Sequence, residues 1–175
     1  MAKKDLAWQN DAQQRRSAGP GARRSLGEGV KLIYIDSSCL VKVFRREPES
    51  AAVMQAIAQQ EVAIITTLVE LEVLVQLKAD YLAGDLSRPR WRQLEAQLFV
   101  LRNQPPYEFR AIPAPLFRTA LRQHRNSGDV HCRTLDRLHV AAMEELGMSR
   151  LMTHDERQAT AAREAGFDVI WPNGH

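Results

Sequence analysis

Apolar runs of three to six residues punctuate this chain, and most are followed by a segment long enough for one or two helices. Lys31-Leu32-Ile33-Tyr34-Ile35-Asp36 is β-branched and aromatic, and ends in an acid followed by two serines. Val62-Ala63-Ile64-Ile65, Tyr107 to Ile112, Arg150-Leu151-Met152-Thr153 and Asp168-Val169-Ile170 read as further short strands. Short strands alternating with helices predict a parallel sheet covered on both faces by helices. Ser37 or Ser38 can cap the segment after the first strand, and Pro48-Glu49-Ser50 opens a helix over Ala51 to Gln60. Thr66 or Thr67 caps a long helix stopped by Gly84. Arg90 to Asn103 carries Trp91, Leu94, Leu98 and Leu101 at helical spacing before Pro105-Pro106, so two consecutive helices form a hairpin excursion. Helices over Pro113 to about Asn126, Arg133 to Leu146, and Asp155 to Ala165 complete the alternation.

The formal charge is +3, and its location limits what it implies. Residues 1–29 hold Lys3, Lys4, Arg15, Arg16, Arg23 and Arg24 against Asp5, Asp11 and Glu28, leaving 18 of the 24 basic and 18 of the 21 acidic residues in the rest. The folded body is therefore neutral, and net charge does not argue for a nucleic-acid partner. Residues 1–29, with Gly19-Pro20-Gly21 and no apolar period, are expected to be a disordered basic extension rather than part of the core. Two cysteines, Cys39 and Cys132, without metal-binding spacing fit a reducing, cytoplasmic setting. No apolar run approaches a membrane span, and no Gly-rich phosphate loop, GxSxG elbow or HExxH pair occurs.

Four acids stand where a strand or turn hands over to a helix: Asp36, Glu72, Asp136 and Asp155. In a parallel sheet, ligands collect beyond the carboxyl ends of the strands, where Asp36 and Asp155 fall. Each has a structural alternative. Asp36 and Asp155 can be helix caps, and Asp136 can sit in a first turn for the helix dipole. Carboxylates gathered this way suit a hard divalent ion; without one they would repel, so at least one is expected to titrate above its ordinary range.

Tyr34-Ile35-Asp36-Ser37-Ser38, Leu71-Glu72-Val73-Leu74, Arg133-Thr134-Leu135-Asp136-Arg137-Leu138-His139-Val140-Ala141-Ala142 and Thr153-His154-Asp155-Glu156-Arg157-Gln158 resemble, in order and spacing, the four acidic motifs of the PIN-domain nucleases. They look most like the VapC-type toxins of bacterial type II toxin–antitoxin modules. The resemblance implies a three-layer α/β/α sandwich over residues 30–175 with a central, mostly parallel sheet. It also implies an endoribonuclease in which Asp36, Glu72, Asp136 and Asp155 hold one or two Mg²⁺ or Mn²⁺ ions. The implied partners are an RNA substrate, a cognate antitoxin and a second copy of the chain, the last two docking on the helical hairpin.

Glu70 competes with Glu72 for the second position; on a helix Glu72 shares a face with Gln76 and Asp80, whereas Glu70 lies beside Leu77 and Tyr81. Ser38 and Thr153 are candidates to orient the acids or contact substrate, and Arg133 to touch an RNA phosphate. His139 is expected to be a packed, hydrogen-bonded histidine that can still face the same site. Two other functions fit less well: an RNA-processing PIN nuclease without an antitoxin, and a receiver-like signalling domain, which would need paired acids after strand one where Ser37 and Ser38 stand.

Overall fold

The computed structural model describes residues 31–45, 47–128 and 131–173, so the expected basic extension lies outside the described residues. Five strands, β1 (Leu32–Ile35), β2 (Val62–Thr66), β3 (Tyr107–Arg110), β4 (Arg150–Met152) and β5 (Asp168–Ile170), form one parallel sheet in the order β3-β2-β1-β4-β5. Ile33, Tyr34 and Ile35 are all fully buried, as are Ala63, Ile64 and Ile65. Consecutive residues point to opposite faces, so complete burial of three in a row requires cover on both sides. This is the three-layer arrangement that the alternating pattern predicts.

Seven helices among the described residues supply the cover: α1 (Ser37–Phe44), α2 (Ser50–Ala58), α3 (Thr67–Ala83), α4 (Arg88–Leu101), α5 (Leu116–Asn126), α6 (Thr134–Glu145) and α7 (Glu156–Glu164). α1 packs on α2 and α3, and α3 on α4; α6 packs between α5 and α7. α3 and α4 form the expected hairpin. Gly84 closes α3 at φ +90°, a conformation that a Cβ would strain. Ser87 caps α4, and the Tyr81 and Trp91 rings stack across the turn with centroids 4.7 Å apart. Trp91, Leu94, Leu98 and Leu101 form the buried stripe, whereas Phe99, on the opposite face, is exposed.

Three residues compete to cap the first helix, and the backbone decides among them. The carboxylate of Asp36, not Ser37 or Ser38, starts α1 by accepting from the Ser38 amide at 3.2 Å. The chain turns into helix immediately after β1, so the residue that ends the strand's apolar run already occupies the capping position. β1 is the pivot of the topology: the chain leaves it toward β2 and β3 on one side, and returns to β4 and β5 on the other. The amide of Asp36 donates to Met152 at 3.0 Å, extending the β1–β4 ladder by a rung. That places Asp36 at the switch point, where a crevice opens between diverging connections.

Candidate metal centre

A cleft of ≈ 840 Å³ opens over the carboxyl ends of β1 and β4, and Asp36, Glu72, Asp136 and Asp155 all line it. Four segments separated by up to 119 residues thus converge on one cavity, with Ser38, Arg133, His139 and His154 beside them. Glu70 lies elsewhere: it is clamped by Arg102 of the hairpin through both carboxylate oxygens at 2.5 Å. Gln76 lines the cleft with Glu72, as the helical-face argument requires.

Asp36 lies deepest, at 4% exposure. Its Oδ2 accepts from the Ser38 hydroxyl at 2.6 Å and the Thr153 hydroxyl at 2.9 Å, besides the Ser38 amide. Each hydroxyl is aligned in turn, because Ser38 Oγ accepts from the His154 amide and Thr153 Oγ1 from the Asp155 amide, both at 2.9 Å. The side-chain amide of Gln158 completes the cradle. With its oxygen toward Asp36 it would set acceptor against acceptor; with its nitrogen there it donates to Oδ1 and Oδ2, each at 3.1 Å, and to Thr153 Oγ1 at 2.9 Å.

His139 joins the second acid to the first strand. Its Nε2 lies 2.8 Å from Glu72 Oε2 and 3.9 Å from Asp36 Oδ1, and its Nδ1 is 2.9 Å from the Tyr34 hydroxyl. That hydroxyl continues to Thr66 Oγ1, also at 2.9 Å. With both hydroxyls free to rotate, the chain Thr66–Tyr34–His139–Glu72 can be satisfied with His139 neutral or protonated. Burial alone would push the imidazole down, but the hydrogen bond to Glu72 and the charges of Asp36, Glu72 and Asp136 outweigh it and hold the group above its ordinary range. Burial pushes Glu72 up, but the His139 hydrogen bond and charge, with help from Ser37 and Arg133, bring it below the usual carboxylate range. Glu72 is therefore not an acid that clustering pushes up, because the fold supplies cations that repulsion arguments from sequence omit.

Asp136 and Asp155 share a different counter-ion. Arg133 Nε donates to Asp136 Oδ2 at 2.9 Å, and its guanidinium reaches Asp155 Oδ2 at 2.5 Å. The other Asp155 oxygen caps α7, accepting from the Arg157 amide at 2.9 Å and the Gln158 amide at 3.1 Å. Capping and facing the cleft are therefore carried by separate oxygens of one carboxylate.

The donor chemistry fits a hard divalent ion. Ligand atoms of Asp36, Glu72 and His139 all lie within 4.8 Å of one another. Asp136 and Asp155 add further oxygens to the same cleft, engaged by Arg133. The serine, threonine and glutamine around Asp36 donate to one of its edges, as outer hydrogen bonds to a metal-ligating carboxylate do. His139 and Gln158 carry more of this geometry than sequence reading assigned them. His139 had a signal in its place three residues after Asp136; Gln158 ends the fourth motif segment, but there it reads only as following a helix cap.

The PIN domain family model matches residues 33–164. Ribonuclease VapC46 of Mycobacterium tuberculosis is 31% identical over 143 residues, covering 81% of this chain and 98% of that protein. Among solved structures, Mycobacterium tuberculosis VapC20, described as a sarcin-ricin loop cleaving toxin, superposes with a TM-score of 0.59 at 15% identity, over 77% of this chain and 95% of that one. FitAcB of Neisseria gonorrhoeae superposes with a TM-score of 0.63 at 14% identity, over 80% of this chain and 97% of that one. VapBC2 of Rickettsia felis, solved on a promoter DNA fragment, gives 0.59 at 12% identity, over 81% of this chain and 99% of that one.

Proposed function

The chain belongs to the PIN-domain family, and from that membership we propose that it is a metal-dependent endoribonuclease, the toxin of a type II toxin–antitoxin pair. The observation that carries the metal assignment is the convergence of four separated acids on one cleft, two of them presenting oxygens alongside the His139 nitrogen. Asp36, Glu72 and Asp136 would hold the Mg²⁺ or Mn²⁺ ion, with Asp155 at the margin. When bound, such an ion lowers the pKa of water and offsets negative charge gathering on the scissile phosphate.

The side chains divide the remaining work. Ser38 and Thr153 hold one edge of Asp36, so its free lone pairs face the cleft. His139 anchors Glu72 and balances its charge, which keeps the carboxylate ionised and aimed at the same point. Arg133 reaches across the acids with half its side chain exposed, and an RNA phosphate entering the cleft offers that guanidinium an alternative oxyanion. On the α3–α4 hairpin, Leu71, Val75, Leu82 and Phe99 are exposed and are our candidates to meet a second copy and the antitoxin, Leu71 and Val75 at the edge of the cleft itself. The toxin and toxin–antitoxin relatives favour this reading over a processing nuclease that acts alone. A cytoplasmic site of action suits two free cysteines, and no helix among the described residues is long and apolar enough to cross a membrane.

Cleavage of RNA by the purified chain with Mg²⁺ or Mn²⁺, compared with Asp36→Asn and Asp136→Asn, tests the proposal. Cleavage should need the ion, stop with EDTA and collapse in both variants. EDTA-insensitive cleavage unchanged by either substitution would sink it.

A further inference from the structure

Gln158 occupies the third position of α7, after the cap Asp155, so Asp155-Glu156-Arg157-Gln158 has the spacing of a capping box. In such a box the third-position side chain turns back to the amide of the cap residue. Here that amide is already taken, because Asp155 N donates to Thr153 Oγ1 at 2.9 Å. Relieved of capping, the Gln158 amide points into the protein instead, at 1% exposure, and meets Asp36, which lies 122 positions earlier.

We infer that Gln158 is a positioning residue for the metal centre, its amide nitrogen fixing the rotation of the Asp36 carboxylate so that one edge stays open to the cleft. The inference rests on the metal-nuclease reading and adds to it a residue that is not one of the four acids. Three features carry it. The Gln158 amide nitrogen lies 3.1 Å from both Asp36 oxygens, with one N–H shared between them, whereas Ser38 and Thr153 reach only Oδ2, so Gln158 alone among them restrains the carboxylate at both atoms. It also donates to Thr153 Oγ1 at 2.9 Å, which leaves the threonine's single proton for Asp36. Asp36, Thr153 and Gln158 are all at or below 4% exposure, so no water stands ready to replace a lost donor. A neutral amide suits the place. It satisfies the buried carboxylate without the full positive charge that would compete with a divalent ion.

The test is Mn²⁺ binding to the full chain, followed by calorimetry, for wild type, Gln158→Leu and Gln158→Met, with the melting temperature of each metal-free protein as a second readout. Gln123→Leu, at another buried glutamine that bonds to Glu144 rather than to the acids of the cleft, is the control. Loss of an outer hydrogen-bond partner typically weakens metal binding about 10- to 100-fold. Both Gln158 variants should therefore bind Mn²⁺ at least about tenfold more weakly, while Gln123→Leu binds as wild type. If Gln158 only capped α7 or filled space, its variants would melt lower and bind Mn²⁺ unchanged, and that result would overturn the inference. The methionine variant, flexible enough to fill the same space, keeps the comparison if the leucine variant does not fold. Wild type that binds no Mn²⁺ would count against the metal-nuclease reading itself; wild type that binds, with variants equal to it, would count against Gln158 alone.

Discussion

Asp36 and Asp155 come after neighbouring parallel strands, each begins a helix, and both face one cleft, yet the protein treats their charges differently. The Asp36 side chain is 5% exposed, accepts from neutral donors on Ser38, Thr153 and Gln158, and has the His139 ring 3.9 Å from its other oxygen. The Asp155 side chain is 31% exposed, shares a single arginine with Asp136, and spends its other oxygen on the cap. A buried carboxylate has no water to fall back on, so fixed dipoles must satisfy it. A rim carboxylate keeps solvent and can accept a counter-ion that is itself free to leave. The cleft thus has an inner wall built for precision and an outer wall built for exchange.

The sharpest break in this contrast should come from matched substitutions to asparagine, which keeps a capping oxygen in both places. Asp36→Asn should cut RNA cleavage by about 10³-fold, several kcal/mol of lost charge stabilisation, whereas Asp155→Asn should cost about tenfold. Equal losses would show that the two walls do equivalent work. Next in size is the pair on α3: Glu72→Gln should lower cleavage about 100-fold, while Glu70→Gln, which only releases Arg102, should leave the rate unchanged and cost under about 1 kcal/mol of stability.

On the inner wall, Tyr34→Phe removes the hydroxyl that joins Thr66 to His139 and leaves buried polar atoms unpaired. Denaturant unfolding should report a loss of about 1–3 kcal/mol. A neutral result would mean that the hydroxyl chain is not part of what stiffens this wall. The outer wall predicts the smallest effect. Arg133→Gln should change stability by under about 0.5 kcal/mol, yet lower the salt dependence of RNA binding by about 0.7 in the log–log slope, one phosphate contact on a single strand. An unchanged slope would assign the arginine to structure instead.

The strand–helix order was legible because a sheet buried on both faces demands short, continuous apolar runs, and Ile33-Tyr34-Ile35 and Ala63-Ile64-Ile65 supply them. The preference for Glu72 over Glu70 as the second acid rests on the motif resemblance with weak support from helical periodicity, and Glu72 is the one of the two that lines the cleft. The first cap was not legible, since Asp36, Ser37 and Ser38 are all competent and only the backbone path decides among them. The direction of the Glu72 shift was hidden for a similar reason. Repulsion among acids can be guessed from their number, but the offsetting cation is His139, 67 residues away, and it stands there only once the fold brings α6 and α3 to one cleft.

By itself the sequence determined the order of elements, the cover on both sides of the sheet, and which acids fall at the ends of strands, because burial and backbone turns are written in local residue patterns. Tertiary structure decided which atoms meet. His139 bridges strand one to the second acid, Arg133 ties Asp136 to Asp155, and Gln158 leaves its own helix cap for Asp36. Each of these depends on distances between side chains that no local pattern encodes, and the meeting of Gln158 with Asp36 in particular needs the parallel packing of β1 against β4 to bring the two within hydrogen-bonding range.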